Sequence, residues 1–305
     1  PIIDYNTLCS MKKDNFTFIG IPSDLGASKP GCRFGPDLLR NRSVNMHFRN
    51  NTLDGLISLR ERGFLFDNAT TYDLGDIALR PEHNLKNYCD AIKKIYSGFP
   101  NQVTPITIGG DHSFTHAIVS GLMSRKNGKP FSFIQLDYHL DMQIWGDFTN
   151  AKPKQLDTLC HSNFVSWLIN DFPKMPITQL GICDIQSTDS DTRQKQEIFH
   201  YLSKIKTRLT DMDILSSSRE EVVRKLPKNE CVYISVDVDA LSFLIMPQTG
   251  YPAPLGMSES MLFCILDYII KHNDLIGIDI MEFGQTNQHE KHQHVATLLN
   301  RLILN

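Results

Sequence analysis

Cysteine pairs, net charge and long apolar runs are all scarce in this chain of 305 residues. Its seven cysteines stand at positions 9, 32, 89, 160, 183, 231 and 264, with no CxxC among them. That spacing excludes a zinc knuckle or a thioredoxin-like redox motif. It suits reduced, mostly buried thiols in a cytosolic protein. No basic surplus exists: 31 Lys and Arg face 34 Asp and Glu, for a formal net charge of −3. Nucleic-acid binding is therefore disfavoured, because nothing would neutralise a phosphate backbone. The apolar stretch LFCILDYII (262–270) is short and interrupted by Asp267, so no segment is expected to span a bilayer. The first residues, PIIDYNTLCSMKKDN, lack the apolar core of a signal peptide, and a cytoplasmic location is expected. Repeats, low-complexity tracts and flexible linkers are also missing, which predicts one domain over 1–305.

What is present is an ordinary folding composition, 41% hydrophobic and 21% charged. Continuous apolar runs occur at 16–21, 103–108, 131–136, 177–182, 231–236 and 275–280. Continuity rather than alternation predicts strands buried on both faces. Between them, 84–99, 258–272 and 292–304 read as helices, the second with Ser258 as N-cap. Strand–helix alternation predicts an α/β fold with a mostly parallel sheet covered by helices.

In such sheets the reactive groups collect beyond the carboxyl ends of the strands. Here those ends carry Gly109-Gly110-Asp111-His112, Asp137-Tyr138-His139-Leu140-Asp141, Asp184, Asp237-Val238-Asp239 and Glu282. A single DxH or DxD at a strand end is ordinarily a cap or turn. Several together concentrate negative charge that demands compensation. Period-two spacing in an extended segment would point Asp137, His139 and Asp141 to one side, and Asp237 and Asp239 likewise. With His112 after its Gly-Gly turn, the set holds four carboxylates and two imidazoles. That suits two divalent ions with shared carboxylates. An oxygen-rich set with two histidines and no thiolate favours Mn²⁺ over zinc or copper, with nickel and iron left open. Two close metals lower the pKa of a shared water and deliver hydroxide at neutral pH.

The motifs GGDHS (109–113), DYHLD (137–141), SVDVDAL (235–241) and DIMEF (279–283) closely resemble the metal signatures of the ureohydrolases, the arginase and agmatinase family. IGIPSDLGASKPGCRFGP (19–36) resembles the family's opening strand and Gly-rich loop, and PQTGYPAPLG (247–256) its PxTGxPxxxG segment. The resemblance runs from about residue 17 to residue 284. It implies a three-layer α/β/α fold (arginase-like), two manganese ions per subunit, a homo-oligomer, and hydrolysis of guanidino groups to urea and an amine. Carried over by motif, His112, Asp137, Asp141 and Asp237 would bind one metal. Asp137, His139, Asp237 and Asp239 would bind the other. Asp141 would also orient the hydroxide, His161 would shuttle a proton, and Glu282 would pair with the guanidinium. A carboxylate suits that partner because guanidinium is a planar fork of donors.

The sequence departs from the family at Tyr138, Ser162 and Ser242-Phe243. Where free-arginine enzymes hold the amino-acid end of the substrate with an Asn and a Ser, this chain has Gln143 and Asp157. The long segment between Asp141 and His161 also carries Trp145, Phe148 and Pro153. The pattern resembles the peptide arginases, which implies peptide-bound arginine, converted to an ornithine residue, as the expected substrate. Agmatine or a guanidino acid is the alternative. Gln143, Trp145, Asp157 and Asp184 are the candidate substrate contacts, with turn capping equally open for Asp184.

Two other classes compete. One is a catalytically dead family member that keeps its metal, which the retained ligands, His161 and Glu282 argue against. The other is a two-metal hydrolase of amides or phosphate esters, for which an anion site would place Arg or Lys at Glu282. Several residues invite over-reading. His289, His292 and His294 are expected to be a solvated approach to the last helix. His116 is expected to be a packed helix histidine, since HSFTH lacks the Glu of HExxH. Cys160, beside His161, is expected to be structural, facing away from it as strand neighbours do. SSSREEVVRK (216–225) is expected to be an exposed helix face with i,i+4 pairs.

Overall fold

The computed structural model describes residues 15–46, 57–58, 63–64, 70–142, 159–186 and 199–284. Its strands are β1 (Asn15–Gly20), β2 (Ile57–Ser58), β3 (Gly63–Phe64), β4 (Thr70–Asp76), β5 (Val103–Ile108), β6 (Ser132–Leu136), β7 (Ile177–Ile182), β8 (Thr207–Thr210), β9 (Cys231–Asp237) and β10 (Asp274–Met281). The helices are α1 (Gly35–Met46), α2 (Leu85–Ser97), α3 (Phe114–Arg125), α4 (Phe164–Asp171), α5 (Asp211–Ser216), α6 (Arg219–Arg224) and α7 (Glu259–His272). β2 and β3 form a separate antiparallel pair. The other eight strands make one all-parallel sheet in the order β4-β1-β5-β10-β9-β6-β7-β8.

Both faces of the sheet are covered, giving the three-layer α/β/α arrangement. Successive side chains of one strand enter opposite cores. Phe133 and Tyr233 pack on one face with Ile92 of α2, Ile118 of α3 and Leu168 of α4. Ile134, Val232 and Ile234 pack on the other with Leu39 of α1, Val222 of α6 and Ile265 of α7. Each fully buried aliphatic side chain contributes about 1.5–3 kcal/mol over exposure, which is why the strands are apolar without alternation.

The six expected strands all form, within a residue or so of the sequence boundaries. Helices 84–99 and 258–272 become α2 and α7, capped by the side chains of Asn84 and Ser258, which accept from Asn87 N and Met261 N. The expected helix at 292–304 lies outside the described residues, as do His289, His292 and His294. The run 216–225 yields only the six-residue α6. There Glu221 closes a capping box with Ser218, so its carboxylate turns back to the helix start instead of pairing along an exposed face. Among the described residues, cysteines 32, 89, 160, 183, 231 and 264 form no disulfide. Among the described residues no helix is long and apolar enough to cross a membrane.

Candidate functional site

Strand order assembles the site. β5, β10, β9 and β6 are neighbours, although they lie far apart in sequence. Their register is level: Ile108 faces Ile280, Ile280 faces Val236, and Val236 faces Leu136. The residues that follow, 109–112, 281–282, 237 and 137, therefore leave the sheet at one height. After β5 the chain passes hard against the loop following β1. A Cβ on Gly110 would sit 1.6 Å from the carbonyl oxygen of Ser23, so only glycine fits. That turn delivers His112, whose backbone N–H donates to Glu282 Oε1 at 2.9 Å. Glu282 (φ 65°) and Asp141 (φ 49°) both hold left-handed backbone conformations without being glycine. Such strain concentrates where surrounding structure fixes a side chain for function.

The two aspartate motifs are not extended, contrary to the period-two expectation. Asp137 follows β6 and Asp237 ends β9, and each Oδ1 accepts the backbone N–H two residues on, from His139 (2.6 Å) and Asp239 (2.8 Å). After Asp237 the chain makes a 3-10 turn, Val238–Ala240. Aspartate side chains stabilise such turns by replacing a backbone acceptor. The turns still gather the side chains. His112 Nδ1 lies 3.1 Å from Asp237 Oδ2, 3.2 Å from Asp137 Oδ2 and 3.3 Å from Asp141 Oδ2. His139 Nδ1 lies 2.9 Å from Asp239 Oδ2 and 3.8 Å from Asp137 Oδ1. Two candidate cation cradles result, His112–Asp137–Asp141 and Asp137–His139–Asp239, each with ligand atoms within 4.8 Å of one another. Asp137 belongs to both, and Asp237 touches the first through His112.

Burial and mutual repulsion set the electrostatics of this cluster. Burial and the neighbouring Asp137 charge push the Asp141 carboxyl up to about 7. Burial and facing carboxylates hold Asp237 and Asp239 well above the usual range. Asp137 is lowered despite its burial, because His112 and His139 surround it. Burial opposes the charge on His112, yet Asp137, Asp141 and Asp237 hold its pKa well above the ordinary value. Carboxylates this close and this dry call for positive charge.

Glu282 and His161 form the other side of the site. His161 Nδ1 is 3.5 Å from Glu282 Oε1. Burial works against the imidazolium, but Glu282 overrides it and raises His161 to about 9. On the far nitrogen, Ser28 Oγ sits 3.2 Å from His161 Nε2 and 2.7 Å from the Tyr251 hydroxyl. Tyr251 stacks near the His161 ring and meets His139 edge-on, with Lys29 Nζ 3.9 Å over its own ring. Next to Glu282 in charge, the buried Asp111 is raised to about 7 by its burial and by that carboxylate. It accepts from the N–H groups of Gly26 and Ser113.

The remaining candidates divide. Gln143, Trp145 and Asp157 lie outside the described residues. Asp184 is exposed after β7, and its N–H donates to Asp211 Oδ1. His116 is buried, as expected for a packed histidine, 2.9 Å from Asp171 and edge-on to Trp167. Cys160 lies in a loop and not a strand, so the facing-away argument does not apply to it. Its N–H donates to Asn163 Oδ1, and its thiol meets Ser162 Oγ at 3.3 Å. Residues that sequence reasoning passed over include Asp279, Ser235, Ser28 and Tyr251. Ser235 Oγ donates to Asp279 Oδ1 at 2.6 Å and lies 2.8 Å from His112 Nε2. A hydroxyl has one proton, so the imidazole Nε2–H donates to Ser235 and Nδ1 faces the carboxylates. The signal for Asp279 was an acid inside a buried apolar strand, LIGIDI.

Comparison with known proteins agrees with this geometry. The sequence profile described as the Arginase family matches residues 14–305. The chain is 29% identical over 276 residues to an agmatinase of Pyrococcus horikoshii, covering 89% of this chain and 84% of that protein. It is 27% identical over 274 residues to the mitochondrial guanidino acid hydrolase of Homo sapiens, covering 87% of this chain and 70% of that one. Proclavaminate amidino hydrolase of Streptomyces clavuligerus superposes with a TM-score of 0.75 at 24% identity, covering 97% of this chain and 92% of that chain. At that identity the superposition bears on the fold alone.

Proposed function

This chain belongs to the arginase family, and on that premise we propose that it is a manganese-dependent ureohydrolase that splits a guanidino group into urea and an amine. The carrying observation is the convergence of His112, Asp137, His139, Asp141, Asp237 and Asp239 at the ends of adjacent strands, with Glu282 facing the same space.

The donor set fits two divalent cations. The carboxylates are buried and mutually repelling, oxygen predominates, both imidazoles point a nitrogen inward, and no thiolate takes part. His112, Asp137, Asp141 and Asp237 would hold one ion, and Asp137, His139, Asp237 and Asp239 the other. Such a pair supplies hydroxide at neutral pH. The rest falls to the chain. Glu282 spends one oxygen on the His112 N–H and keeps the other for a guanidinium, whose central carbon it turns toward the acidic cluster. Asp141 would orient the nucleophile's oxygen and exchange a proton with it. His161 carries a proton on Nδ1 across the neutral range, beside Glu282, where the leaving nitrogen needs one.

Peptide-bound arginine is the proposed substrate, supported by Gln143 and Asp157 at positions that grip the free amino acid elsewhere in the family. Agmatine or a guanidino acid is the second reading, favoured by the names of the relatives above. A cytoplasmic homo-oligomer completes the proposal, supported by the family resemblance. The test is urea release by Mn²⁺-loaded protein from arginine, agmatine, guanidinobutyrate and a short arginine-containing peptide. The reading expects urea, fastest from the peptide. Rapid turnover of agmatine with none of the peptide would remove the peptide assignment. No urea from any of the four would remove the activity.

A further inference from the structure

One residue row crosses the sheet directly beneath the acidic cluster. Arg208, Gln179, Gln135, Ser235, Asp279 and Thr107 are successive register partners on β8, β7, β6, β9, β10 and β5. In-register neighbours of a parallel sheet point to the same face. Every member but Arg208, which is half-buried, is fully buried. An apolar row would fill this layer at lower cost, since buried polar groups must be hydrogen-bonded.

Half of the row is a directed chain. Arg208 Nε donates to Gln179 Oε1 at 3.2 Å. Gln179 Nε2 donates to Gln135 Oε1 (2.9 Å) and to the Leu140 carbonyl (3.1 Å). Gln135 Nε2 donates to Asp137 Oδ2 at 2.7 Å. An amide alone can turn either way. A guanidinium only donates, so Gln179 must offer it oxygen, and its NH₂ then points to Gln135 and Leu140. Gln135 is turned in the same sense, toward an ionised carboxylate that only accepts. Both ends of the chain thus demand the same polarity. Its outputs are the shared aspartate and the loop between His139 and Asp141.

We infer that Arg208 is a positioning residue, which acts through Gln179 and Gln135 to fix the direction of Asp137 and of the 137–141 loop for metal binding. The inference rests on the metal-binding reading above. It assigns a remote edge-strand cation a part in the site.

The test is Mn²⁺ titration, by calorimetry and by the electron paramagnetic resonance of free Mn²⁺, on the full chain and its variants. Arg208→Met keeps bulk and removes the donors. Gln179→Glu keeps the partner for Arg208 but loses the donors to Gln135 and Leu140. Both are expected to weaken Mn²⁺ binding about 10-fold or more, the usual effect of losing a group that orients a metal ligand. The metal-free proteins should keep wild-type circular dichroism. Arg208→Lys, again donor-only, should recover most of the affinity, which bulk packing alone would not explain. Variants that bind two ions as the wild type does would overturn the inference and leave the family reading intact. Loss of fold in both Arg208→Met and Gln179→Glu would assign the row to stability and overturn it. Failure of the wild type itself to bind Mn²⁺ would overturn both.

Discussion

Stripping the metal with a chelator should make this protein's stability fall with pH in a way that Mn²⁺ reverses. Burial and the Asp137 charge move the Asp141 carboxyl from 3.8 to about 7. The metal-free fold holds that proton more tightly than the unfolded chain does. The stabilising contribution is therefore complete below pH 3.8 and is lost as pH rises through about 7. The full loss is about 4 kcal/mol, more than half of it between pH 5 and pH 8. Asp237 and Asp239 are raised for the same reason and act with the same sign. An unfolding entropy of about 2.1 cal/mol/K per residue converts that part of the loss to about 4 °C for a chain of this length. Cations pairing with these carboxylates cancel the penalty. Scanning calorimetry at pH 5, 6, 7 and 8, with EDTA or with saturating Mn²⁺, reads the difference directly. The Mn²⁺-induced rise in Tm should grow by at least about 4 °C from pH 5 to pH 8. A rise that is constant or shrinks with pH would refute the reasoning.

Other outcomes follow from single side chains. Glu282→Gln retains an acceptor for the His112 N–H but not the charge. It should lower kcat/KM about 100-fold, the worth of a charge-assisted contact, with Mn²⁺ affinity unchanged in titration. His161→Asn should lower kcat by about 10² or more while metal content by mass spectrometry stays at two ions, as for a lost general acid. Gly110→Ala forces a methyl to within 1.6 Å of the Ser23 carbonyl and should cost more than about 3 kcal/mol in denaturant melts.

The strands were readable because both faces of the sheet are covered, so their sequences run apolar without interruption. β4 (TTYDLGD) and β8 (TRLT) were not. They are the two edge strands of the sheet, and β4 is held partly by ion pairs of Arg40 with Asp73 and Asp76. α3 escaped because nearly all its side chains are buried, which erases the one-sided pattern a surface helix shows. The site acids were readable as residues, but their local geometry was not. Spacing alone does not separate an extended DxD from one folded over its own backbone N–H. The members of the Arg208 row lie on six different strands, and only strand register lines them up, so the row as a whole had no sequence signal.

The proposed activity requires two cations among the side chains that follow β5, β6 and β9. Anomalous diffraction at the manganese edge, from crystals grown with Mn²⁺, tests that most directly. The predicted map has two peaks per chain, both against Asp137 and Asp237, one also touching His112 and Asp141 and the other His139 and Asp239. A map with no peak among these side chains, or with manganese bound elsewhere, would contradict it.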